Sequence, residues 1–308
     1  MEVESTSVSD QALRITDQDF PAFLMSLPLG LATDEANNVW MREMAEDDRR
    51  VDRARALRQF HELYAFLAAR SVVYLLPSRG GLQDQVYVAN LAVVLPHAAE
   101  RTAVVSNFRS EPRRGEQGPG VEFLRQLGLS VEIAPPFFEG EADLKHLRDN
   151  IYIGAHGLRT SRDALLWFEE RFGMEVIPFE MESEYLYHLD CSVFPITREE
   201  VVVCTELAAP ETLAAIEQHA SIIDVSESDA EGGVTNCVRI GEFVLCASNI
   251  AELPETHEDY PYERSKIRTL EELCGKRKLT PVFFNLSEFL KSGAMLSCMV
   301  MHLNHKNF

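Results

Sequence analysis

The sequence predicts an α/β fold. Short apolar runs rich in β-branched residues alternate with helical segments, five stretches share one layout at similar spacing, and no Pro/Gly/Ser-rich linker divides the chain. The acidic, polar opening MEVESTSVSDQ reads as a flexible tail over 1–17, and a single domain is expected over 18–308. Val51, Ala54, Leu57, Phe60, Leu63 and Leu67 recur at three- and four-residue steps, which predicts a helix over 45–69. Beyond it, runs of Val, Ile, Leu and Phe predict strands at 72–76, 86–95, 103–105, 131–134, 151–153, 176–179, 201–204, 222–225, 238–240, 243–246, 282–284 and 298–303. Helical segments fall at 121–127, 162–172, 210–219, 269–274 and 286–291.

The five related stretches are DQVYVANLAVVL, FFEGEADLKHLRDNIYIG, YHLDCSVFPITREEVVVC, GGVTNCVRIGEFVLC and SGAMLSCMVMHL. Each places a polar residue at the mouth of an apolar run, followed by a second strand. The landmarks Asn90, Asp143, Asp190, Asn236 and Cys298 are separated by 53, 47, 46 and 62 positions (143−90, 190−143, 236−190, 298−236). With a helical segment in each gap, five such units can close into a ring that brings one polar residue per unit to a common centre.

Composition narrows the function classes. With 29 basic and 49 acidic residues the formal net charge is −20, a field that repels phosphate backbones and argues against nucleic acid or anionic membrane as partner. It is compatible with a cationic substrate. No two of the six cysteines are spaced as C-x-x-C, so a zinc or iron–sulfur site has no support. Free thiols suit a reducing compartment, although an even count leaves disulfides open. No basic segment followed by an apolar core marks a secretory signal, and no apolar run is long enough to span a bilayer. A cytoplasmic protein is expected.

Five places in the sequence can carry chemistry. Cys298 follows the small-residue turn Ser292-Gly293-Ala294 at the start of an apolar run, where a Cys can face a pocket and be activated as a thiolate. A Cys in such a run is more often a small buried hydrophobe. His188 and Asp190 in YHLDCSVFPI lie two apart, so in a strand they share a face and can form an acid–base pair; a strand end with a hydrogen-bonded His is the commoner fate. Asp143, with Glu139 and Glu141 beside it, forms an acidic cluster that can grip a planar cation or be a solvated turn. Arg159 can hold a carboxylate or simply precede a helix. Asn90, inside VYVANLAVVL, is either a satisfied core amide or a pocket-lining one.

YHLDCSVFPI, FEGEAD, VANLAVVL, SNFRSEPRRGE, GLRTS, TNCVRIGEFVL and LSEFLKSGAMLSCMVMHL resemble, in kind and order, motifs of the arginine-modifying, or pentein, superfamily. The nearest branch contains arginine dihydrolases and proteins labelled dimethylarginine dimethylaminohydrolase or amidinotransferase. MSLPLGLATDEANNVWM resembles that branch's opening segment, and the resemblance runs from about 25 to 303. It implies a pentein-type five-bladed α/β propeller of pseudo-fivefold ββαβ repeats. It also implies Cys298 as nucleophile on the guanidinium carbon, giving a thiouronium adduct, and His188 as proton donor to the leaving amine and activator of water. Asp143 and Asp190 would bind the guanidinium nitrogens, and Arg159 the substrate carboxylate. Asn90 points to the dihydrolase branch, and Asn38 would assist its second hydrolytic step.

The expected substrate is therefore a small cationic guanidino compound, arginine or a methylated arginine. Dimethylarginine hydrolysis and transfer of the amidino group to an amine stand as alternatives, with a non-catalytic guanidine-binding protein last. No metal or organic cofactor is expected, because the thiol is the covalent catalyst; self-association stays open. Ala92, Ala142 and Ala294 stand where the branch usually has Gly, and Val39 where it has Pro, so substrate identity is less determined than chemistry.

Overall fold

The computed structural model describes residues 19–98 and 101–307; the expected tail at 1–17 lies outside them. The first unit contains β1 (Ala22–Ser26), α1 (Val39–Glu43), α2 (Glu46–Arg49), α3 (Arg53–Ala68) and β2 (Val72–Leu76). The second contains β3 (Ala92–Leu95), β4 (Thr102–Val105), α4 (Gln117–Gln126) and β5 (Ser130–Ile133). In the third are β6 (Leu144–Arg148), β7 (Ile151–Gly157), α5 (Arg162–Phe172) and β8 (Glu175–Met181). The fourth follows with β9 (Val193–Pro195), β10 (Glu200–Val203), α6 (Pro210–Glu217) and β11 (Ser221–Asp224). After α7 (Glu227–Glu231), the fifth has β12 (Val238–Ile240), β13 (Phe243–Ala247), α8 (Tyr260–Gly275) and β14 (Thr280–Phe284). The short α9 (Ser287–Leu290) and β15 (Met301–His302) follow.

Each unit forms its own three-stranded sheet. An antiparallel hairpin, such as β3–β4 or β6–β7, is joined through a helix to a third strand parallel to the second. That is the ββαβ repeat, and the parallel step needs the helix because only a long crossover returns the chain in the same direction. The first unit is assembled from both ends of the described chain: β15 supplies the antiparallel partner of β1, with Phe23 opposite His302. This pairing closes the ring.

Five apolar cores lie between neighbouring units. Leu24 and Leu76 pack with Val94 and Leu124; Val93 and Val104 pack with Tyr152 and Phe168; Ile153 and Phe179 pack with Val201 and Ile216. Phe194 and Val202 meet Val244 and Leu270, and Phe284 and Leu245 return to Phe23 and Phe60. No unit buries its sheet alone, so each depends on both neighbours, and the ring leaves no terminal face uncovered.

Several expected elements are corrected. The helix expected over 45–69 is broken, because the Asp52 side chain accepts from Arg55 N–H and caps α3, while Asp52 N–H donates to Glu288. The expected strands 86–95 and 298–303 begin as 3₁₀ turns at Val88–Asn90 and Ser297–Met299. Leu189–Cys191 is likewise a 3₁₀ turn, so His188 and Asp190 do not share a strand face. The strand β1, AFLMS, was not expected: five residues with no alternation carry little signal, and only the partner β15 makes them a strand. No helix among the described residues is long and apolar enough to cross a membrane.

Candidate active site

The chain enters each unit through a tight turn, and four of these entrances contain 3₁₀ turns, at Val88–Asn90, Gly140–Ala142, Leu189–Cys191 and Ser297–Met299. The fifth closes by a bond from Asn236 N–H to Gly233 O. These turns bring Asn90 and Cys298 to one cavity, with Asp190 and Asn236 each 3.7 Å from Cys298 Sγ. Gly140 lets two turns touch: its φ is +68°, and a Cβ there would lie 2.5 Å from Ala89 O. Gly293, at φ +73°, similarly admits the Asn38 amide, 2.9 Å from where a Cβ would stand.

Asn38, Asn90, Arg159, His188 and Cys298 line one inner cavity of about 20 Å³, together with Asn37, Asp84, Tyr87, Arg113, Tyr187, Ser292 and Ala294. That volume holds about one water. A wider vestibule of about 520 Å³ shares Asn37, Asn38, Arg159 and Tyr187 with it and adds Arg109.

His188 is buried and its Nε2 lies 2.9 Å from Glu139 Oε2. With Nε2–H donating to that carboxylate, Nδ1 is the nitrogen left to exchange a proton. Asn90 Nδ2 lies 3.3 Å from Nε2 and 3.5 Å from Nδ1, against the ring. Burial alone would raise the Glu139 pKa; the His188 hydrogen bond and the Arg159 charge outweigh it and hold the carboxyl at about 2. Arg159 Nη1 stands 3.7 Å from Glu139 Oε1, its Nη2 donates to Asn37 O at 2.8 Å, and its guanidinium lies 4.9 Å from the Tyr187 ring centre.

Cys298 is in a 3₁₀ turn, with Sγ 3.7 Å from both Asp190 Oδ2 and Asn236 Nδ2. Burial and then the Asp190 charge push the thiol pKa up to about 12. At neutral pH it is therefore a thiol. Asn236 also fixes the turn from the other side, accepting from Ser297 N–H at 2.8 Å, while Ser297 Oγ donates to Asp190 at 2.5 Å.

Two expected ligand residues sit behind the cavity wall. Asp143 accepts from Thr160 Oγ1 at 2.6 Å and Leu189 N–H at 3.2 Å, so it braces the turn that follows His188. Asp190 is buried and meets the cavity through Cys298. Asn38 lines the cavity, but its amide caps α1 by accepting from Met41 N–H and donates to Ser292 O. Within the acidic cluster, Glu139 holds the imidazole and Glu141 bonds His302.

Asp84 was not anticipated. It is 3% exposed, accepts from Asn37 Nδ2 at 2.6 Å, and burial raises its pKa despite Arg113. The buried Arg113 is paired with Glu116 at 2.8 Å and donates to Asp84 O and Tyr87 O, fixing this segment. The position of Asp84 six residues before Asn90 was readable, but an acid in GLQDQ carries no periodic signal.

Fold and site define a protein of the pentein superfamily, five ββαβ units around an axis with a cysteine, a carboxylate-held histidine and an arginine at one end. The chain belongs to the family described as N,N dimethylarginine dimethylhydrolase, eukaryotic, whose profile matches residues 28–304. AgrE of Nostoc sp., a bifunctional arginine dihydrolase/ornithine cyclodeaminase, is 25% identical over 91% of this chain and 37% of its own length. The chain thus spans little more than a third of that relative. YkgA of Bacillus subtilis, described as uncharacterized, is 26% identical over 75% of this chain and 73% of its own. The N-terminal domain of ArgZ, described as a cyanobacterial arginine dihydrolase and solved with substrate, has a TM-score of 0.80 at 22% identity, covering 92% of this chain and 98% of that domain. DDAH from Pseudomonas aeruginosa, solved with citrulline, has a TM-score of 0.67 at 19% identity, covering 92% of this chain and 99% of its own. At these identities both structures speak to the fold.

Proposed function

We propose that this chain is a cysteine-dependent hydrolase that cleaves guanidinium C–N bonds of arginine through a covalent thiouronium adduct, with residues 18–308 as one catalytic domain. One observation carries the reading: Cys298 lines the same cavity as His188, whose imidazole is oriented by the ionised Glu139. Arg109 and Arg159 flank the vestibule and suit the substrate carboxylate, and Asp84 with Asn37 suits its ammonium.

The high thiol pKa favours a cationic substrate. A guanidinium arriving at Cys298, whose Sγ lies 3.7 Å from Asp190, offsets the negative charge that helps hold the proton on the thiol. Cys298 passes its proton to neutral His188 as Sγ attacks the guanidinium carbon, and the imidazolium so formed gives that proton to the departing nitrogen, which leaves as ammonia. Neutral His188 next takes a proton from water and the hydroxide adds to the thiouronium carbon; the C–S bond breaks as the hydroxyl proton goes to Sγ, releasing citrulline and the thiol, and the imidazolium returns its proton to solvent. Asn90 beside His188 can donate an N–H to the oxygen of a neutral ureido group, which a carboxylate cannot, and this supports a second round giving ornithine, carbon dioxide and ammonia.

The family description supports a second reading, in which the first leaving group is dimethylamine. Incubation with arginine and with dimethylarginine, following ammonia, dimethylamine, citrulline and ornithine, tests both. Ornithine from arginine is expected. Turnover of neither compound, with no mass added to Cys298 after acid quench, would refute the assignment.

A further inference from the structure

A second cavity lies on the Glu141 and His302 side of the unit entrances. It measures about 260 Å³ and is lined by Lys145, Arg148, Arg198 and Arg239 beside His146, His302 and His305. The two acidic residues in its wall are Glu141 and Asp149, so the formal charges sum to +2 (four cations less two anions) in a chain of net charge −20. Glu141 is already engaged, accepting from both the backbone N–H and Nδ1 of His302. Asp149 is exposed.

Two of the cations have unused hydrogen-bonding capacity. Arg148 Nη2 donates to Arg198 O at 3.0 Å, but its buried Nε–H has no hydrogen-bond partner among the described residues. Lys145 forms no hydrogen bond or ion pair among the described residues, though its charge is felt at Glu141 and at Cys298. A buried donor without an acceptor costs stability unless a ligand satisfies it. The histidines shape the wall and add no donors: their ring N–H groups are spent on Asp149 O, the Glu141 carboxylate and Val94 O, and burial favours the neutral form of His146 and His305.

We propose that this cavity is a binding site for a small polyanion, a phosphate-bearing or polycarboxylate metabolite of about the size of pyrophosphate or citrate. Lys145 and Arg148 are its main contacts. The turns couple it physically to the opposite end: Thr235 and Cys237 line this cavity, while Asn236 between them contacts Cys298. The inference does not depend on the proposed hydrolase activity.

Isothermal titration of the full chain with inorganic pyrophosphate and with citrate, each at ionic strength matched with potassium chloride, tests it. Saturable one-to-one binding of at least one is expected, and which one binds identifies the source chemistry. Lys145→Met and Arg148→Met should each weaken it by about tenfold, the loss of one charge-assisted contact, whereas Arg159→Met should leave it unchanged. Far-UV circular dichroism reports whether each variant is folded. Binding of neither anion by the wild type, or binding weakened by Arg159→Met and not by Lys145→Met or Arg148→Met, overturns the proposal.

Discussion

Glu139 Oε2 stands 2.9 Å from His188 Nε2 and carries the charge that orients the imidazole behind Cys298. Replacing this carboxylate by an amide of the same size keeps the shape and removes the charge. Glu139→Gln should lower kcat by roughly 10²-fold and leave KM nearly unchanged. Steady-state kinetics across pH, with circular dichroism as fold control, measures both; a shifted KM alone would mean that Glu139 serves only binding.

Cys298 and Asp190 give a test with opposite signs. Because burial and the Asp190 charge push the thiol up to about 12, iodoacetamide should label Cys298 slowly at neutral pH. Asp190→Asn removes the charge, lowers the thiol pKa and should speed labelling by several-fold, on the order of one pKa unit or less. The same variant should lose turnover. Mass spectrometry of the labelled peptide reads the first effect, ammonia release the second.

Arg159 joins Asn37, Glu139 and Tyr187 at the neck of the site. Arg159→Met should raise KM by about 10- to 100-fold, as expected for losing a charge-assisted contact to a carboxylate. An unchanged KM for arginine would remove Arg159 from substrate binding.

Asn90→Asp places a carboxylate against the His188 ring, where Asn90 Nδ2 now stands 3.3 Å from Nε2. Citrulline should accumulate at the expense of ornithine. Product ratios by chromatography decide the matter, and an unchanged ratio would separate Asn90 from the choice between one hydrolytic round and two.

Burial, reinforced by the Glu139 charge, raises the Asp143 pKa from 3.8 to about 6, despite His188 and Thr160. Between those values the folded chain holds a proton that the unfolded chain has released, so this group's contribution to stability falls as pH rises. Asp143→Asn should flatten the melting temperature between about pH 4 and 6 and stabilise at pH 7 by on the order of 1–3 kcal/mol, provided Leu189 N–H and Thr160 keep their bonds.

The repeats were legible because a hairpin, a helix and a parallel strand write recognisable apolar runs. The helix expected over 162–172 is α5 at those bounds, ending at Gly173 in the left-handed region. Two kinds of feature were not legible. One is β1, whose partner β15 lies 275 or more positions away in sequence (301−26); the other is the geometry of the unit entrances, which 3₁₀ turns convert from strand starts into inward-pointing corners. Glu139, Glu141 and Asp143 stand in one short motif with the same chemical character, yet meet His188, His302 and Thr160 respectively.

By itself the sequence determined the α/β class, the five-unit spacing and the residue types available for thiol and acid–base chemistry. Local propensity and apolar period are properties of neighbours in the chain, so they are written there. Only the tertiary structure decided which carboxylate orients His188, that Asp143 and Asp190 stand behind the wall, and that Asp84 belongs to the site. Those outcomes depend on contacts between separate units and on glycine-permitted close approaches, which no local pattern encodes.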